Sequence, residues 1–163
     1  MLASNLALAF ASIWFLLRNR WVNLTYLSLA AVYGAFAAWR FIYAPHFAGL
    51  SKSQALADFR LFGIGLAFLL AYWVVFNVAA LISRGARLAG WPRALLLGAN
   101  TGFLFLYLAL PLSAMQGSHP NTFWILPATL GLAVLGLSAR ARHWLPSETP
   151  ARDTLLVEGL ALV

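Results

Sequence analysis

The chain has 163 residues, 63% of them hydrophobic and only 9% charged, with a formal net charge of +7. A soluble domain carries about 25% charged and about 45–50% apolar residues, and a small fold cannot hide this much apolar surface, so composition excludes an ordinary water-soluble domain. The basic excess comes as short arginine clusters between apolar runs rather than along one face. Membrane topology accounts for that pattern, and nucleic-acid binding is set aside. The chain has no cysteine, which removes disulfides, thiolate metal sites, Fe–S clusters and cysteine nucleophiles of its own.

The first apolar run covers residues 2–17 and ends at Arg18-Asn19-Arg20-Trp21. It is short against the about 20 residues needed for a ~30 Å hydrocarbon core. It does not read as a signal peptide, because its arginines follow the apolar stretch instead of preceding it. The second run, residues 22–43, is expected to stop before Ala44-Pro45, since proline disfavours helix in its predecessor. Residues 44–59 are the most polar stretch on that side. Ser51 and Gln54 form the S-x-x-Q pattern of a capping box, which predicts a helix starting near Lys52, lying along the interface and continuing into a third span at 60–82.

The connection 83–93 holds Gly85, Gly90 and Pro92, and Pro92 suits the first turn of the next helix. The fourth span is expected at 94–113. Residues 114–121 carry no charge, and a fifth span follows at 122–138. Residues 139–153 lack a strong apolar period. Residues 154–163 start a sixth apolar helix that is too short to cross, as in a chain that continues or a fragment.

The fold class expected is therefore all-α: a single polytopic transmembrane domain over 1–163, with five complete spans and part of a sixth, arranged as hairpins. Arg18, Arg20, Arg84, Arg87, Arg93, Arg140, Arg142 and Arg152 fall in alternate connections, whereas Arg40, Lys52 and Arg60 lie near the opposite side. The positive-inside rule makes the arginine-rich side cytoplasmic and the N-terminus external. Trp21, Trp91 and Trp144 accompany the arginines, and Trp39 and Trp124 sit near the other ends, at the interfacial depth indoles prefer. The turns RNRW, RGARLAGWPR and RARHWLP form a weak repeat that this topology explains without duplication.

Polar residues inside apolar runs need partners. Asn77 and Asn100, with Thr101, are expected at similar depth on neighbouring helices, about 9–12 Å from one end at 1.5 Å per residue. An Asn77–Asn100 hydrogen bond would act as helix glue. Gly98 and Gly102, four apart on one helix, and Ala30, Gly34 and Ala38 on another form small-residue strips that allow close helix approach, within this chain or with a partner. Glu158 and Arg40 are ionisable groups in apolar runs; each could be functional, pair, or, for Arg40, extend its stem to the outer interface. His46 and His119 lie in proline-containing connections and His143 among arginines, so no histidine is placed in a span to ligate haem. No metal site is expected, and no phosphate, nucleophile-elbow or dinucleotide motif occurs.

The alternation of apolar spans with arginine–tryptophan turns, and the ending RDTLLVEGLALV, resemble part of the large bacterial polytopic proteins described only as predicted membrane proteins and built from tandem helical hairpins. The resemblance is one of general pattern. It implies membrane-embedded hairpins and transfers no activity and no site residue.

Scarce polar chemistry, small-residue strips and small extramembrane parts point to a non-catalytic subunit. It would pack against, stabilise or help assemble a larger complex of the bacterial cytoplasmic membrane, with respiratory and photosynthetic complexes as candidates. Its partners would be the lipid bilayer and other membrane subunits. No cofactor of its own is expected, haem or pigment entering only through partners. A small-solute or lipid transporter, working as an oligomer, is the alternative, and a membrane enzyme that borrows catalytic groups from a partner is the third reading.

Overall fold

The computed structural model describes residues 2–19, 22–83, 88–116, 120–145 and 147–162. His119, Arg20, Arg84, Arg87 and Trp21, singled out in the sequence, lie outside them. Among the described residues every element is helical: α1 (Leu2–Asn19), α2 (Val22–Ala38), a π-helical turn (Trp39–Tyr43), α3 (Ala44–Ala48), α4 (Lys52–Ala57), α5 (Phe59–Ile82), α6 (Trp91–Met115), α7 (Pro120–Trp144) and α8 (Thr149–Leu162). Among the described residues, four helical stretches are long and apolar enough to cross a membrane: Asn23–Ala48, Phe59–Ile82, Trp91–Met115 and Ile125–Trp144. The expected first span, now α1, is not among these four.

The second helix does not stop at Ala44-Pro45. It passes through the π turn, where the Ala44 amide bonds back to the Trp39 carbonyl, and continues to Ala48. A proline in a regular helix loses one bond and clashes with the carbonyl four residues back. The wider π register immediately before Pro45 relaxes that conflict. The true stop is Gly49, at φ 63°, the left-handed position that glycine adopts without a Cβ penalty. Leu50 N–H then closes on the Pro45 carbonyl at 3.1 Å.

The Ser51–Gln54 capping box forms, with Ser51 N–H donating to Gln54 Oε1 at 2.9 Å and Gln54 N–H to Ser51 Oγ at 3.3 Å. Its helix, however, does not run on into the next one. Asp58, extended at ψ 115°, ends α4 and caps α5 by accepting from Leu61 N–H at 2.8 Å. At the other end of the sequence, α7 runs through Ala139–Trp144 where a connection was expected. Alternating alanine and arginine are strong helix formers, so loss of apolar period there marks a solvated face and not a helix end. α8 starts at Thr149, with Pro150 in its first turn.

The core lies between α2, α5 and α6. Helix α1 packs on α2 and α5, α6 on α5, and α8 on both α6 and α7. Tyr33 stands at the centre, 1% exposed. It stacks on Phe103 (centroids 5.2 Å apart) and meets Tyr72 edge-on (6.3 Å). Gly65 faces Phe36 and Trp39, whose rings would lie 3.4–3.6 Å from an added Cβ, at ordinary contact distance. α7 and α8 meet closely at Gly159, where a Cβ would stand 2.7 Å from the Leu135 side chain and 3.0 Å from its backbone nitrogen.

Candidate functional site

The polar residues of the core form one connected group. Tyr33 O–H donates to Asn100 Oδ1 at 2.9 Å. Asn100 and Asn77 do not bond each other; both side-chain amides donate to the Trp73 carbonyl, each at 2.9 Å. The Trp73 indole N–H donates to Thr101 Oγ1 at 3.1 Å. Asn77, Asn100 and Thr101 are all nearly inaccessible. Asn77 Oδ1 has no hydrogen-bond partner.

Thr101 leads on to Glu158 of α8. The carboxyl lies against Gly98, whose added Cβ would stand 3.2 Å from Glu158 Oε1 and 3.6 Å from the Thr154 methyl. Both Glu158 oxygens are shielded from solvent, and neither meets hydrogen-bond geometry with a donor. Thr101 is near enough for its hydroxyl to favour the charged form, but burial is the larger effect and pushes the carboxyl up from the ordinary glutamate range. A charged carboxylate without water or donors is costly, which is the physical cause of that direction. Gly98 thus serves α8, whereas Gly102, one turn on, is exposed with nothing within 4 Å among the described residues. Ala30 and Gly34 also face outward, and Gly34 likewise has open space around its Cβ position.

A second polar knot lies at the arginine-rich end. Arg93 is 1% exposed; it pairs with Glu148 at 2.8 Å and donates to the Ser83 carbonyl. Glu148 also accepts from Gly90 N–H at 3.3 Å, and Tyr26 O–H donates to the Pro92 carbonyl. One buried guanidinium therefore ties the end of α5, the start of α6 and the connection between α7 and α8. Arg93 had been grouped with the interfacial arginines; its position in the sequence resembles theirs, but its side chain turns inward.

Arg40 is also buried, not extended outward. It sits in the π turn and donates through Nη2 to the Leu56 carbonyl at 3.3 Å, fastening α4 to the end of α2. His46 is exposed and bonds the Ile42 carbonyl at 2.8 Å through Nδ1, one turn back on its own helix. His143 is exposed near the end of α7. Among the described residues, no three His, Asp or Glu side chains converge to hold a metal ion.

Sequence reading missed Tyr33 and Trp73, because aromatic residues count as apolar and their donor atoms carry no periodic signal. It missed the Arg93–Glu148 pair because the partners are far apart in the chain and, by sequence, both fall between apolar runs. Comparison with known proteins gives no matching family model, no matching curated protein and no matching solved structure.

Proposed function

We propose that this chain is an integral subunit of a bacterial cytoplasmic membrane, without catalytic chemistry of its own, that packs against and stabilises a larger membrane complex. In this reading α1 also crosses, giving five spans, the N-terminus is external and the arginine-rich connections are cytoplasmic. The similarity to hairpin-built bacterial membrane proteins belongs to the same proposal.

The observation that carries it is the outward small-residue face of α2. Small residues four apart let another helix approach closely, yet Ala30 and Gly34 are exposed, and a Cβ added at Gly34 would meet nothing within 4 Å among the described residues. Among the described residues, no other helix covers this surface at Gly34. α7 supports the same view: only 28% of its apolar window is buried, against 50% for α5, so it lies at the edge of the bundle with most of its surface open to lipid or a partner. The core polar groups, by contrast, are mostly spent on each other.

Isolation from native membranes in mild detergent tests the proposal. The chain is expected to travel with a fixed set of other membrane chains in constant ratio. Recovery as a lone, monodisperse species would reject it. A transporter is the second reading, favoured by the polar group running from Tyr33 to Glu158, since transporters gather polar groups within the bilayer. Solute-dependent uptake into vesicles holding only this chain would favour that reading.

A further inference from the structure

Among the described residues, α8 (Thr149–Leu162) is not one of the four stretches long and apolar enough to cross a membrane. It nevertheless carries an acidic residue into its contact with α6. Three features meet there. The Glu158 oxygens are buried with no hydrogen-bond partner. The stem of Glu158 lines an open groove of about 480 Å³ together with Trp91 of α6 and Thr149, Asp153 and Thr154 of α8. On the inner side, Thr101 connects to the indole of Trp73 and so to the core polar group. The carboxyl thus stands between a route to solvent and an internal chain of hydrogen-bonding groups.

We propose that Glu158 is a proton-binding site, its carboxylate taking a proton from water in the groove between α6 and α8 and holding it as the neutral acid against Gly98 and Thr101. The step is a plain acid–base exchange, hydronium plus carboxylate giving water plus carboxylic acid. Neutralisation removes the cost of an unpaired buried charge and creates an O–H donor where none existed.

The charged neighbours fit this role. On α6 the arginine is Arg93, already engaged by Glu148. On α7, Arg140, Arg142 and His143 lie in the last turns, beyond the level of Leu135, where Gly159 packs. On α8 itself, Asp153 shares the groove. Arg152, also on α8, lies a turn and a half away by sequence.

Because the folded chain binds this proton more tightly than the unfolded chain, stability is highest at low pH. It falls as pH rises from the ordinary glutamate range, ~4.3, through the midpoint of Glu158.

The chain has two glutamates, Glu148 and Glu158, so ¹³C-labelled glutamate gives two carboxyl signals in the full-length protein. Infrared spectra would be recorded against pH in lipid vesicles. The proposal expects the carbonyl band of a protonated labelled acid well above pH 5, lost reversibly at higher pH. Glu158→Asp should remove that labelled band while keeping a carboxyl in place, and Glu148→Gln should leave it. Two results would overturn the proposal: both labelled carboxyls ionised down to about pH 4.3, the ordinary value, or a titrating labelled band that survives Glu158→Asp. The wild-type titration decides the first point even where a variant fails to fold.

Discussion

Asn100 joins three helices through one side chain: it accepts from Tyr33 of α2 and donates to Trp73 of α5. Replacing it with leucine leaves the buried Tyr33 hydroxyl only the longer bond to the backbone carbonyl of residue 100, at 3.3 Å. Asn100→Leu is expected to cost about 1–3 kcal/mol, and Tyr33→Phe, which removes the donor itself, about 0.5–1.5 kcal/mol, both measured by denaturant unfolding in detergent. Equal and negligible effects would show that the group contributes little. Breaking the Arg93–Glu148 pair is the larger perturbation. Glu148→Ala leaves a buried guanidinium uncompensated and is expected to cost about 3–5 kcal/mol, whereas the double change Arg93→Met with Glu148→Leu should recover most of it. Additive losses in the double variant would contradict the pairing. The asparagines were legible in the sequence because a polar residue in an apolar run stands out. Their shared acceptor was not, because a backbone carbonyl belongs to every residue alike.

Among the elements, apolar runs separated by Arg, Gly and Pro located the long helices, and the capping box at Ser51 foretold the start of α4. The ends were harder to read. Pro45 looks like a terminator until the π turn before it is known, and the Ala/Arg alternation after Leu137 looks like a loop until α7 is seen to continue with a solvated face. Close approaches were also hidden. Gly98 and Gly102 carry the familiar spacing, but among the described glycines the one with least room for a side chain is Gly159, which has no small residue four positions away in sequence, at 155 or 163. Two glycine variants separate these roles. Gly159→Ala drives a methyl into the backbone and side chain of Leu135 and is expected to cost about 1–3 kcal/mol. Gly102→Ala, with open space around it, should instead be neutral or stabilise by about 0.5–1 kcal/mol through helix propensity. Thermal unfolding of the two variants checks this, and a destabilised Gly102→Ala would reveal a contact outside the described residues or with another chain.

For the molecule as a whole, composition alone made the long apolar helices legible, and the structure adds how they share their surfaces. α5 is enclosed on several sides, α7 stands at the edge, and α2 turns its smallest residues away from its own core. Among the membrane-length stretches, burial is greatest along α5 and least along α7, and the proposed packing role would use the open faces of α7 and α2. Gly34 offers the most direct measurement. A photoreactive side chain placed there in native membranes should capture one membrane protein at a single mass and constant yield, while the same probe at the exposed Val74 of α5 should capture mainly lipid. Indistinguishable lipid labelling at both positions would contradict a packing role for the outer face of α2.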